Sequence, residues 1–355
     1  LIKTILAMKN RKLPPTANFT AAHPALGLEG SPFCVLSESK RWDSRGPGQP
    51  RRAAVSAFGF GGINAHLLVE EYLPSAGPQA APAPHAQDAP IAIVGMQAIF
   101  GGGADGLEQF RRAALGAPGK TALSKPGPRA RGVESAQAKG YYLDSARAPA
   151  GKYRIPPKEL EEMLPQQLLM LEAAAGALED ANLSGGDKDA FGVFIGLELD
   201  PNTTNFSLRW AIPESARRHA AKNGWKLSPE QEEEFIRTLR NEAGPALSAN
   251  RTMGALASIA ASRIAREFQI GGPSFAFSSG DASGLRALEL AVRLLRQGEL
   301  DCAIAGAVDL CGDPRALEAR ARLEGLSRSG RAAAFDKAAD GLLPGEGAAA
   351  VVLKR

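Results

Sequence analysis

Three serines and an aspartate crowd one short stretch, Ser278-Ser-Gly-Asp-Ala-Ser283. It lies between an apolar run, Ser274-Phe-Ala-Phe-Ser278, and a helix-patterned segment, Ala282–Arg296. That order reads as strand, sharp turn and helix. Such a turn presents its central residue at a helix N-terminus, where free backbone N–H groups and the positive end of the helix dipole point outward. The position suits a thiolate or an oxyanion, and a cysteine there would be acidified and able to take an acyl group from a thioester. The residue is Asp281. Its carboxylate is favoured as the anion by the same dipole, which makes it a good helix cap and a poor nucleophile. A capping aspartate with no chemistry is the plain alternative.

A nucleophilic serine at this turn would need a base. The four histidines, His23, His66, His85 and His219, fall in an N-terminal segment, a linker and a charged stretch, and none is an obvious partner. Gly101-Gly-Gly103 lacks the spacing of a dinucleotide loop, and no Walker lysine is present. Cys34, Cys302 and Cys311 are too few and too scattered for a disulfide framework or a metal cluster, so no metal is expected. Charge is mixed, 42 Lys+Arg against 38 Asp+Glu, and only 6% of residues are aromatic, which argues against nucleic acid as a partner. No apolar stretch is long enough to span a membrane and no signal peptide opens the chain. With so few cysteines, a soluble, cytoplasmic protein is expected.

Several elements must position the turn. At 355 residues and 44% hydrophobic content the chain can hold two globular units. Residues 1–73 end in a glycine-rich loop and a strand-like run, Ala65–Glu70; residues 74–90 are a Pro/Ala-rich linker; residues 91–355 form the second unit. There Pro90–Gly95, Phe191–Gly196, Asp301–Val308 and Ala348–Leu353 read as buried strands. Leu107–Leu115, Pro165–Asp180 and Asn250–Phe268 read as helices, and 214–243 as an exposed helical insertion. Alternation of this kind argues an α/β sheet. The chain starts inside a helix-like run and stops right after a strand, and both ends look like cuts through larger domains.

These strings resemble the β-ketoacyl synthases of the thiolase fold. Arg51-Arg-Ala-Ala-Val-Ser-Ala-Phe-Gly-Phe-Gly-Gly-Ile-Asn-Ala-His66 is similar to the motif that closes such domains. Pro90–Met96 resembles their first strand, Pro165–Asp180 a dimer-associated helix, and Phe335–Gly347 a characteristic loop. Gly272–Leu285 matches the active-site segment without gaps, with Asp281 where the family has its cysteine. The resemblance implies an α/β fold of layered α-β-α-β-α architecture, incomplete in this chain. It implies Phe60 as gating residue and oxyanion-hole amide, with Gly59, Gly61, Gly62, Asn64, Phe277 and Gly280 near substrate. No cofactor is implied for the segment itself, since acyl groups ride on the phosphopantetheine of an acyl carrier protein. The implied partners are that carrier and a ketosynthase domain in a homo- or pseudo-dimer.

Family members without the cysteine act as chain-length factors, which pair with an active ketosynthase and shape the acyl tunnel. A ketosynthase tail, a linker and such a domain resemble the tandem arrangement of polyunsaturated fatty acid synthases, and Gly192–Trp210 looks most like that group. An acyltransferase parent multienzyme is implied. The family's two catalytic histidines and lysine lie in stretches that precede or follow this chain, so the polypeptide alone is expected to be inactive. The alternative is a loading-type domain that decarboxylates malonyl-carrier protein without being acylated.

Overall fold

A computed structural model describes residues 1–58, 64–74, 90–116, 123–124, 139–149, 151–183, 188–198 and 204–355. The chain divides into two units, Leu1–Pro84 and His85–Arg355. In the first, helix α1 (Ile2–Asn10) precedes an antiparallel pair of two-residue strands, β1 (Lys12–Leu13) and β2 (Lys40–Arg41). A hairpin follows, β3 (Arg52–Phe58) against β4 (Asn64–Glu70), in register from Arg52↔Glu70 to Phe58↔Asn64. Arg51 fastens its open end. The guanidinium meets the Glu71 carboxylate at 2.5 Å and donates through Nε to the Trp42 carbonyl at 2.6 Å.

The second unit runs β5 (Ala92–Phe100), β6 (Ala104–Asp105), α2 (Leu107–Ala114), α3 (Pro157–Glu162), α4 (Pro165–Asp180), β7 (Phe191–Leu197), α5 (Thr204–Lys222) and α6 (Pro229–Ala243). It continues with α7 (Ala249–Ala255), α8 (Ile259–Glu267), β8 (Ser274–Phe277), α9 (Ser283–Gln297), β9 (Cys302–Asp309), α10 (Pro314–Leu323) and β10 (Gly347–Lys354). Six strands form one mixed sheet in the order β6-β5-β10-β9-β7-β8. β7 is parallel to both β8 and β9, and β10 is antiparallel to β5 and β9.

Alternation along the strands sorts the core into two faces. On β7, Phe191, Val193, Ile195 and Leu197 pack with α4 and α8, while Phe194 packs on the other face with Ala287, Ala291 and Leu295 of α9. On β9, Ile304 and Val308 point to α4, and Ala303 and Ala305 to α9. Helix α4 is buried almost all round, as its apolar sequence demands of a central helix. The buried Gln166 and Gln167 are its polar exceptions, and Gln167 is the more deeply engaged in the core. The Gln167 amide donates to the carbonyls of Met253, Gly254 and Leu256 at 3.0–3.1 Å, and its oxygen accepts from Arg263 Nε at 3.0 Å. Arg263 in turn pairs with Glu159 at 2.7 Å.

The expected single helix over Asn250–Phe268 is two, α7 and α8, broken at Leu256–Ser258. The carbonyls bonded by Gln167 lie at that break, so a tertiary contact ends α7 where spacing alone predicts continuity. The charged insertion is a pair of helices, α5 and α6, with its own small cluster of Ile212, Ala216 and Ile236. Among the described residues, no helix is long and apolar enough to cross a membrane.

Candidate functional site

The end of β7 lies directly on the start of α9. A Cβ added at Gly196 would sit 2.4 Å from the Ser283 carbonyl carbon and 2.5 Å from the Gly284 nitrogen, so only glycine lets strand and helix approach this closely. Between β8 and α9 the chain reverses through Ser278–Ala282, with Gly280 at φ +56°, a conformation natural to glycine. The Ser279 N–H donates to Ser283 Oγ at 2.8 Å, and that hydroxyl donates to the Gly280 carbonyl at 2.7 Å. The turn thus satisfies much of its own polarity.

Asp281 does not cap the helix. The N-cap is Ala282, with no side-chain cap bond, and the serine hydroxyl at 283 already holds the turn. The aspartate side chain is 82% exposed and lies 3.9 Å from the Arg320 guanidinium. Arg320, from α10, also pairs with Asp309 at the end of β9 at 2.7 Å.

These groups line a cavity of about 660 Å³ beyond the carboxyl ends of the parallel strands β7 and β9. Phe100 and Phe110, with ring centroids 4.9 Å apart, form part of its apolar wall. Among the described residues, four carboxylates, Glu198, Asp281, Asp309 and Glu346, share it with one guanidinium, Arg320. Glu346 is engaged by backbone, accepting the N–H groups of Gly312 at 2.7 Å and Leu143 at 2.9 Å. Glu198 Oε1 accepts the Gly280 N–H at 2.8 Å and the Ser278 hydroxyl at 3.2 Å. Burial, followed by the charges of Asp281 and Glu198, pushes the Asp309 carboxyl up against the opposing pull of Arg320.

No cysteine of the chain substitutes for a nucleophile at the turn. Cys311 is buried below the cavity, its Sγ donating to the Gly345 carbonyl at 3.2 Å. Burial, then the charges of Asp309 and Glu346, push its thiol up to about 12. Burial raises Cys302 to about 11. Thiolate being the reactive form, iodoacetamide at pH 8 is expected to label the exposed Cys34 while leaving Cys302 and Cys311 unmodified until the protein is denatured. Peptide mass spectrometry reads this, and early labelling of Cys311 would contradict the burial assigned to it.

Of the residues singled out in the sequence, Gly280 and Asp281 line the cavity. Phe277 does not; it packs into the core beside α9, because alternation on β8 turns it toward the helix. Gly59, Phe60, Gly61 and Gly62 lie outside the described residues, and Asn64 is described only as the first backbone position of β4. Glu198, Asp309 and Arg320 line the candidate site and are missed by sequence reasoning. They come from three separate elements, and the one available signal is a carboxylate directly after each of the buried runs Phe191–Leu197 and Cys302–Val308.

The model of the β-ketoacyl synthase N-terminal domain matches residues 88–355. A polyunsaturated fatty acid synthase subunit of Thraustochytrium sp. is 34% identical over the whole of this chain, which spans 17% of that protein. An erythronolide synthase component of Saccharopolyspora erythraea is 32% identical over 75% of the chain, which spans 7% of it. Among solved structures, the PfaC ketosynthase–chain length factor superposes over 99% of this chain and 37% of its own, with a TM-score of 0.73 and 25% identity. The ketosynthase from module 6 of the Bacillus subtilis bacillaene synthase covers 75% of this chain and 39% of its own, with a TM-score of 0.52 and 25% identity.

Proposed function

The chain belongs to the β-ketoacyl synthase family of condensing enzymes and carries its thiolase-like α/β fold, and from that membership we propose that its second unit is a chain-length-factor-like domain. In this reading the unit carries no acyl group itself. It docks beside an active ketosynthase and shapes the space into which the growing chain extends. The parent is an iterative acyl-chain-building acyltransferase complex that handles its intermediates on the phosphopantetheine of an acyl carrier protein. Residues 1–73 are read as the closing part of a preceding ketosynthase and 74–90 as the linker between the two.

The observation that carries the proposal is Asp281, an exposed carboxylate at a strand-turn-helix corner whose backbone would present a thiolate. The similarity to a polyunsaturated fatty acid synthase and to a ketosynthase–chain length factor structure, each along nearly the whole chain, supports the same reading. The sign of the cavity weighs against malonyl decarboxylation at this site. A malonyl carboxylate would enter beside four carboxylates and one guanidinium already paired with Asp309.

Asp281→Ala in the complete synthase tests the proposal. Continued synthesis with a shifted distribution of product lengths, read by gas chromatography of released acyl chains, is expected. Total loss of product with the protein still folded would assign Asp281 a chemical role and overturn the partner reading.

A further inference from the structure

Position 281 is only part of what distinguishes this turn. Directly after β7, Glu198 is held from both ends. Its backbone carbonyl accepts from the buried Gln166 amide at 3.1 Å, and its carboxylate reaches the turn at the Gly280 N–H and the Ser278 hydroxyl. The close approach of β7 to α9 at Gly196 fixes this geometry. A carboxylate therefore binds a backbone donor of the turn one residue before position 281. Its charge is felt across the cavity, since it helps raise Asp309.

We propose that Glu198 is a positioning residue that silences the turn electrostatically, independently of the missing thiol, by fixing an anion on the turn one residue before the position where a nucleophilic thiolate would have to form. The inference rests on reading the second unit as a non-nucleophilic partner and explains why the loss of the thiol need not be the whole cause. Acylation at position 281 would require a thiolate to attack the carbonyl of a carrier thioester. The new S–C bond would form as the carrier S–C bond breaks, and the carrier thiolate would leave and take up a proton. A neighbouring anion raises the pKa of the attacking thiol and lowers the thiolate fraction. Among the described residues, the charged groups that share the cavity with position 281 are Glu198 at the end of β7, Asp309 at the end of β9, Glu346 just before β10 and Arg320 on α10, with the N-terminal turn of α9 beside them. Arg320 is shared with Asp309, so it offsets one carboxylate, and no other side-chain cation among the described residues lines the cavity beside Glu198.

The experiment introduces D281C into the 355-residue chain and follows alkylation of the new thiol by iodoacetamide against pH, using peptide mass spectrometry. In this step the thiolate displaces iodide. With Glu198 intact, the introduced thiol is expected to titrate at or above the ordinary value of about 8.5. Adding Glu198→Gln, which keeps an oxygen for the Gly280 amide, is expected to lower that midpoint by roughly 0.5–1 unit and to raise the rate at pH 7 about 3–10-fold. Adding Ser278→Ala instead removes a hydrogen bond but no charge and should leave the midpoint in place.

An unchanged midpoint with Glu198→Gln overturns the proposal, as does an equal shift with Ser278→Ala or a D281C thiol that already titrates below about 7. Should Glu198→Gln fail to fold, raising the ionic strength to about 0.5 M screens the same charge in D281C alone and must lower its midpoint. The outcome is separable from the partner reading. A shifted midpoint together with total product loss in Asp281→Ala would keep Glu198's role and remove the partner role; the opposite pair of results would do the reverse.

Discussion

Gly196→Val is expected to prevent the second unit from reaching its native packing. Two β-branched methyls on a Cβ would fall where the Ser283 carbonyl carbon is only 2.4 Å from that Cβ, and the obstructing atoms are backbone on both sides. Neither partner is free to yield. β7 is hydrogen-bonded between β8 and β9, and the first turns of α9 lie over it, with Ala287 and Ala291 fully buried. Overpacking that cannot be relieved by a rotamer costs about 3 kcal/mol or more. In a unit of this size that lowers the melting midpoint by roughly 10 °C, or leaves the variant in inclusion bodies. Thermal unfolding followed by circular dichroism checks this, and a midpoint within about 2 °C of the parent would show that α9 slides off the strand at little cost.

Gln167→Leu should be nearly as damaging for the opposite reason, because it removes partners instead of adding bulk. The amide serves three carbonyls at the α7–α8 break and accepts from Arg263, whose side chain is only 8% exposed. Leucine fills similar volume but leaves those carbonyls and one guanidinium N–H without that partner. Stranding buried polar groups costs about 1–3 kcal/mol each, more beside a charge, so a loss of about 3–5 kcal/mol is expected in urea unfolding. Gln167→Glu separates the contributions. It keeps an acceptor for Arg263 and still loses the donors, so it should unfold early as well. A variant that kept full stability in either case would mean that the break between α7 and α8 closes into continuous helix.

The sequence is most legible where a local pattern and a core face coincide. Pro165–Asp180 has in its sequence pattern the bounds the structure gives α4, because proline sits at the first helical turn and the apolar run that follows is buried on all sides. Phe191–Leu197 and Cys302–Asp309 emerge within a residue or two of their expected limits for the same reason. Helix α10 is hidden from such reading. Its Arg and Glu residues surround a single fully buried side chain, Leu317, so no apolar stripe marks it, and Arg320 is lost with it. The expected aspartate cap fails because the helix begins one residue later, with Ala282 at the N-cap, while the Ser283 hydroxyl ties the turn together by accepting the Ser279 N–H, and chain order does not reveal that offset. Glu198, Asp309 and Arg320 converge only through the packing of β7, β9 and α10, which no spacing along the chain encodes.

The outward posture of the Asp281 side chain bears on how such a domain changes over generations. Folding leaves that side chain in solvent, neither capping the helix nor filling the core. Apart from the loose pairing with Arg320 at 3.9 Å, folding therefore asks little of the side chain at position 281, and its replacement is expected to leave stability almost unchanged. The corner that seats it is built from glycine and backbone contacts, which preserve its shape across such exchanges. At this corner the shape of the backbone and the chemistry of the side chain are set by different residues, so one substitution can change the second and leave the first intact.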